Sequence, residues 1–214
     1  MTDASPAGSA EEFWEDFYRS EDRRWSGEAN PLLVREAASL TPGTALDLGC
    51  GEGADAIWLA RRGWRVTATD VSRTALRRAA AHAAEAGVGD RIEWEAHDLS
   101  RSFPGGSFDL VSAQFLHSPV AAEGEREAIL RRAAAAVAPG GSLLIAGHAG
   151  WPSWMDEPPF PHHFPTIPEV LESLDLAPGG WHVDVADVVE RELTGPEGQR
   201  GHREDHVLRV RRLG

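Results

Sequence analysis

Asp47 places a carboxylate inside an apolar run, Leu46-Asp47-Leu48, and glycines follow at alternate positions, Gly49, Gly51 and Gly53, with Cys50 and Glu52 between them. A carboxylate in a buried strand costs free energy unless it is solvated, paired or met by a polar ligand. Glycines lack Cβ, so such a loop can approach a ligand closely and turn sharply into a helix. Two further acids stand where later strands should end. Asp70 could accept two hydrogen bonds from a ribose diol. Asp98, with the adjacent backbone at Leu99, could read an exocyclic amine and a ring nitrogen. Gly49, Gly51 and Ala54 also satisfy the dinucleotide fingerprint GxGxxG/A, so the glycines alone leave a nicotinamide cofactor open.

These residues need a scaffold that brings several strand ends together. Phe13, Trp14, Phe17 and Tyr18 recur at helical spacing in Glu11 to Arg19, and a second helix opens with Asn30 as cap and Pro31 at its first position. Thr44 to Leu48 reads as a strand, followed by a helix over Ala54 to Arg62 and a strand over Trp64 to Thr69. Ser72 to Ala86 reads as helix, Arg91 to Ala96 and Phe108 to Ala113 as strands, Glu123 to Val137 as helix and Ser142 to Ala146 as strand. Such alternation implies a parallel sheet, with ligands at the carboxyl ends of its strands. Trp151 to Pro168 interrupts the rhythm with prolines, tryptophans and paired histidines. Glu169 to Leu174 then looks helical, and Trp181 to Glu190 and Asp205 to Val210 read as a terminal antiparallel pair. The expected fold is α/β, a Rossmann-like three-layer sandwich whose mostly parallel seven-stranded sheet ends in an antiparallel hairpin. Residues 1–10 are expected to be a flexible tail. Residues 11–214 then form one domain, with 11–40 as an N-terminal helical cap.

Composition narrows the function classes. At 214 residues, 42% hydrophobic and 26% charged, the chain suits one ordinary domain. A net charge of −13 speaks against nucleic acid as partner, which requires clustered basic surface. Apolar runs are too short for a membrane span, which needs about 20 residues. The segment from Met1 to Ala10 carries Asp3 and no apolar core of a signal peptide. A cytoplasmic location is the expectation, and the single cysteine, Cys50, fits a reducing compartment and reads as packing rather than as a reactive thiol.

The segment LDLGCGEGADAIWLARRGWRVTATDVS, with EAHDL after it and FDLVSAQFLHS further on, resembles the class I methyltransferases that use S-adenosylmethionine. It is especially similar to the small bacterial enzymes related to tellurite-resistance and thiopurine methyltransferases. The resemblance is strongest from Thr44 to Ser118. It implies S-adenosyl-L-methionine as cofactor, with Asp47 and Gly49, Cys50, Gly51 and Gly53 around the methionine part, Asp70 on the ribose hydroxyls and Val71 against adenine. Asp98 and Leu99 would hold the adenine edge, and Gln114, Phe115 and Leu116 would line the space beneath the sulfonium. Trp25 and Ser26, before the first strand, would help close the site.

The implied reaction is methyl transfer to a small-molecule acceptor, with a thiol or a metalloid oxyanion to the fore and an O- or N-acceptor as the alternative. Sulfur or tellurium nucleophiles need desolvation and orientation, whereas an alcohol or phenol needs a general base. His117 and His148, just past the fourth and fifth strands, are the candidates for that base. Trp151, Trp154, His162 and His163 in the insertion, residues 149–168, are expected to cover the acceptor as a lid. No metal is expected, since histidine spacing there matches no zinc pattern, and the protein is expected to be a monomer or homodimer. Against a short-chain dehydrogenase, Tyr18 is the only tyrosine and the sequence contains no lysine. A non-catalytic S-adenosylmethionine-binding module is the rival from outside enzymes.

Overall fold

The computed structural model describes residues 9–22, 24–155, 157, 160, 162–195 and 197–214. The expected tail therefore lies almost wholly outside the described residues, as do Asp156, Pro158, Pro159 and Pro161 of the insertion.

Helix α1 (Ala10–Arg19) starts from a capping box, Ser9 with Glu12. Helix α2 (Pro31–Ala37) starts where Asn30 Oδ1 accepts the Leu32 N–H at 3.0 Å. Alternation then proceeds through β1 (Thr44–Leu48), α3 (Ala54–Arg61), β2 (Arg65–Asp70), α4 (Arg73–Glu85), β3 (Ile92–Ala96), β4 (Phe108–Gln114), α5 (Glu125–Ala135) and β5 (Val137–His148). Helix α6 (Ile167–Ser173), β6 (Trp181–Thr194) and β7 (Arg200–Arg212) complete the chain.

The strands form one seven-stranded sheet in the order β3-β2-β1-β4-β5-β7-β6. Pairs from β3 to β5 are parallel, while β7 runs antiparallel to both β5 and β6. The expected fold is thus present. Period-two alternation separates the faces. Leu46, Val111, Leu143 and Leu208 pack with Leu130 of α5 and Val170 of α6, whereas Ala45, Leu110, Leu144 and Val207 pack with Leu33 of α2 and Leu59 of α3. Among the described residues no helix is long and apolar enough to cross a membrane.

Three strands run further than their apolar cores. Strand β5 starts at Val137, which pairs with Phe108, and the ladder then shifts register around Pro139-Gly140-Gly141 before Ser142 meets Leu110. In the hairpin, β6 and β7 stay paired out to Thr194 and Arg200 because the partner strand satisfies the backbone even where the side chains are charged.

Helix α1 is fastened across the carboxyl edge of the sheet. Glu15 accepts hydrogen bonds from Ser72 Oγ at 2.6 Å, Thr74 N–H at 3.1 Å and Thr74 Oγ1 at 2.6 Å, at the start of α4. Partial burial alone would raise its carboxyl, but these hydrogen bonds and Arg19 pull it down to about 2. Trp14 Nε1 donates to Ser118 Oγ at 3.1 Å, tying α1 also to the segment after β4.

Candidate active site

Strand order reverses between β1 and β4, the position where an open α/β sheet leaves a crevice. A cavity of about 720 Å³ opens there, inside the usual size range of small-molecule sites. Gly49, Gly51, Asp70, Val71, Asp98, Leu99, Gln114 and Phe115 line it, together with Trp25, Cys50, His117 and His148.

The glycine loop is shaped by backbone that side-chain-bearing residues rarely adopt: φ is 71° at Gly49, 54° at Gly51 and 85° at Gly53. A Cβ on Gly51 would stand 2.9 Å from Tyr18 Oη, and one on Gly53 would stand 2.8 Å from both Ala79 Cβ and Trp94 Cη2. Gly53 therefore serves close packing of α3 on its neighbours, while Gly49 and Gly51 face the cavity. Cys50 N–H donates to Thr69 carbonyl at 2.8 Å, and Gly51 N–H donates to Asp70 Oδ2 at 2.9 Å, so the loop is stitched to the end of β2. Asp70 Oδ1 also accepts the Ser72 N–H at 2.9 Å. Burial raises the Asp70 carboxyl to about 6 against these bonds, and burial likewise raises Asp55 to about 6. Burial, with Asp70 and Asp47 nearby, pushes the Cys50 thiol well up, away from thiolate chemistry.

Asp47 is not among the residues that line the cavity. It is 2% exposed, with Oδ2 unpartnered. Burial and the neighbouring Asp55 and Asp70 raise its carboxyl well above the ordinary range, while the Ala56 N–H opposes that. Asp55, on the first turn of α3, and Glu52 face the cavity in its place.

Glu52 holds the N-terminal cover. Its Oε2 accepts the N–H groups of Arg24 and Trp25, each at 3.1 Å, and Arg78 Nη1 donates to Oε1 at 3.0 Å. Trp25 Nε1 donates to Tyr18 Oη at 3.2 Å above Gly51. Tyr18, Glu52 and Trp14 were not singled out from the sequence. Aromatic spacing in α1 had marked Tyr18 and Trp14 only as a helix face, and Glu52 was hidden inside the glycine run.

On the opposite side, Phe115 takes φ 50° at the end of β4 and its ring lies 4.5 Å from the His148 ring. His148 Nδ1 is 2.8 Å from Oδ1 of Asp205, which is fully buried. Asp205 also meets Arg191 Nε through Oδ2, and Arg203 Nε at 3.4 Å. Burial alone would raise the Asp205 carboxyl, but the His148 and Arg191 hydrogen bonds and the charges of Arg191 and Arg203 bring it below the ordinary range. An ionised carboxylate only accepts, so the pairing places a proton on His148 Nδ1 and turns Nε2 away from Asp205. His117, 5.6 Å from His148 between ring centroids, has no carboxylate partner among the described residues; burial first, then His148, lowers its pKa. His206 is buried with both ring nitrogens unpartnered and is pushed down to about 4 by burial and Arg126, so it stays neutral.

The described residues of the insertion pack on one another and on the hairpin. Trp151 packs edge-to-face on Phe160 at 5.2 Å and Phe164 at 5.3 Å, with His162 beside them. Trp154 lies against Gly201 of β7, next to Ser153, whose Oγ accepts the His202 N–H at 2.9 Å. His163 pairs with Glu169 at 3.2 Å. None of Trp151, Trp154, His162 and His163 lines the cavity: the aromatic residues satisfy one another and the hairpin instead. Among the described residues, no group of three or more His, Cys, Asp or Glu could hold a metal ion.

The residues present fit a nucleoside with a cationic tail. Glycines leave room that a Cβ would fill, Asp70 and Asp55 face the space as carboxylates, and Gln114 Oε1 is buried in the wall without a partner.

A family model described as a methyltransferase domain matches residues 45–141. Over 168 residues the chain is 31% identical to the 2-heptyl-1-hydroxyquinolin-4(1H)-one methyltransferase of Mycobacteroides abscessus, covering 75% of this chain and 69% of that protein. It is 36% identical over 125 residues to a ubiquinone biosynthesis O-methyltransferase of Ralstonia nicotianae, covering 56% of this chain but only 50% of the relative. Among solved structures, one described with the conversion of a disulfide bond into a thioacetal group during echinomycin biosynthesis superposes with TM-score 0.75 at 24% identity, covering 96% of this chain and 92% of that one. TehB from Haemophilus influenzae superposes with TM-score 0.67 at 18% identity, covering 94% and 67%.

Proposed function

Because the chain belongs to the class I S-adenosylmethionine-dependent methyltransferases, we propose that it methylates a hydroxyl oxygen of a small molecule, with His148 as the general base. Its cofactor is S-adenosylmethionine and its reaction is methyl transfer to a small-molecule acceptor. The observation that carries the finer reading is the His148–Asp205 pair, 2.8 Å between Nδ1 and Oδ1, at the cavity wall. A thiol or a metalloid oxyanion would leave such a base without a task, whereas an alcohol or phenol must shed its proton as it attacks. Both curated relatives named above accord with this, one being named an O-methyltransferase and the other for a hydroxyquinolone.

S-adenosylmethionine, when bound, supplies an electrophilic methyl group on a sulfonium. The chain's residues do the rest. Asp70 and Asp55 are placed to meet hydroxyl and cationic groups of the donor, Gln114 offers its unpaired carbonyl, and the glycine loop allows close backbone approach. Asp205 fixes the His148 ring and its tautomer, so that Nε2 takes the hydroxyl proton and the imidazolium formed is stabilised by the carboxylate. Trp14, Tyr18 and Trp25 cover the donor side and exclude water. Release of S-adenosylhomocysteine with a phenol, a thiophenol and an aniline of matched size tests the reading. We expect the phenol to support turnover at neutral pH; turnover with the thiol and none with the phenol would overturn the reading.

Cofactor affinity should also depend on pH. Asp55 and Asp70 titrate near 6 in the free protein, above the ordinary carboxyl value, so the free protein holds extra protons below that pH. That proton uptake favours the unliganded fold as pH falls from about 6 toward 4. A cationic, hydroxyl-donating ligand favours the ionised carboxylates, so binding expels the protons. S-adenosylhomocysteine should bind progressively more weakly from pH 7 to pH 5, with a calorimetric heat at pH 6 that varies with buffer ionisation enthalpy. A pH-independent dissociation constant would contradict this.

A further inference from the structure

Charge around the cavity is sorted by half. Glu52, Asp55, Asp70 and Asp98 stand on the side built from the ends of β1, β2 and β3, in a chain whose net charge is −13. The arginines that line it, Arg126, Arg191 and Arg203, come from α5 and from the β6–β7 hairpin on the other side. On that side Glu125 also lines the wall, and its carboxylate receives the Ala122 N–H at 3.2 Å.

Arg191 and Arg203 are direct cross-strand partners in the β6–β7 ladder. Like charges in that position repel and weaken a sheet unless opposite charge sits between them. Asp205 supplies one negative charge, and it is shared: His148 Nδ1 and Arg203 Nε approach Oδ1, and Arg191 Nε meets Oδ2. One carboxylate cannot balance two guanidinium groups. Each guanidinium carries five N–H donors; among the described residues Arg191 donates only its Nε to a protein acceptor, and Arg203 Nε, 3.4 Å from Asp205 Oδ1, makes an ion pair without a hydrogen bond. The side chains are only 23% and 19% exposed, so water covers little of this excess charge. Arg191 Cζ lies 5.4 Å over the Phe115 ring, the same ring that packs on His148.

We propose that the acceptor carries a carboxylate a few atoms from the hydroxyl that is methylated, and that Arg191 and Arg203 receive it through their Nη groups. This deepens the O-methylation reading and rests on it for the placement of the hydroxyl. Guanidinium forks match a carboxylate in shape as well as charge. Asp205 joins the two functions, since His148 and both arginines contact the same carboxylate. Arg126 also lines the cavity, with its Nε committed to the Leu116 carbonyl at 2.9 Å.

The test is binding of matched probes to the full chain preloaded with S-adenosylhomocysteine, whose own carboxylate is then already accommodated. Titration of 3-hydroxybenzoate and 4-hydroxybenzoate against the corresponding hydroxybenzamides should show at least one acid binding about tenfold or more tightly than its amide. The Arg191→Gln/Arg203→Gln double variant should lose that preference. An Arg191→Lys/Arg203→Lys variant, which keeps the charge and guards against misfolding as the cause, should retain part of it. Equal binding of acid and amide, binding of neither, or a preference that survives in the Gln variant would overturn the proposal. If the acid binds through the arginines but its hydroxyl is not methylated, the O-methylation reading fails and only the carboxylate site at the two arginines stands; if only neutral phenols are methylated, O-methylation stands and the carboxylate site fails.

Discussion

Replacing His148 by alanine is expected to lower kcat toward a hydroxyl acceptor by about 10²–10⁴-fold, the usual contribution of a positioned general base. S-adenosylhomocysteine affinity should change less than about twofold, because His148 stands on the acceptor side of the cavity, across from Asp55 and Asp70. A thiol acceptor, already acidic, should lose far less. Asp205→Asn should move the hydroxyl reaction in the same direction by a different route. A carboxamide can donate to His148 Nδ1, which drives the proton to Nε2 and turns the base into a donor toward the hydroxyl. The pH–rate profile separates positioning from packing. Loss of the base limb on the acid side marks the tautomer effect, whereas a uniform loss at all pH values with a lowered melting temperature marks collapse of the hairpin, whose Arg191 and Arg203 lose their counter-charge. Kinetics of His148→Ala equal to wild type with a phenol would remove His148 from the chemistry.

Asp70→Ala is expected to weaken S-adenosylhomocysteine binding by about 1.5–3 kcal/mol, the scale of hydrogen bonds to a charged group, or about tenfold to 150-fold. Two effects add here. The carboxylate that faces the cavity is removed, and Gly51 N–H loses the acceptor that ties the glycine loop to β2. Folding stability should fall by less than this, because removing a buried carboxylate whose pKa is raised also removes its desolvation cost. Calorimetry and thermal melting on the same preparation distinguish the two. A lower melting temperature with unchanged affinity would reduce Asp70 to a loop tie.

The sheet was legible because residues 44–146 alternate short apolar strands with helices punctuated by glycine, and period-two burial leaves little freedom of register. Asp70, Asp98 and the glycines could be read because each sits at the end of a strand, where topology alone brings residues together. The acceptor side could not. His148 and Asp205 are 57 positions apart and become neighbours only through the antiparallel β5–β7 register, which pairs them directly. A signal existed in Asp205-His206, two polar residues opening the strand Val207-Leu208, yet nothing local says which strand lies alongside. Asp47 was legible as a carboxylate in an apolar strand, but its sequence neighbours do not show that burial and the nearby Asp55 and Asp70 raise its carboxyl. Composition marked the aromatic insertion but not its contacts, since nothing local says that Trp151, Phe160 and Phe164 pack on one another.

The account stands most directly on where the methyl group goes. With methyl-¹³C-labelled S-adenosylmethionine and a hydroxybenzoate acceptor, NMR of the product should place the labelled carbon on the phenolic oxygen, with one S-adenosylhomocysteine formed per product. Label on a carboxylate, sulfur or nitrogen atom, or unreacted S-adenosylmethionine with the hydroxybenzoate and with a matched neutral phenol alike, would contradict it.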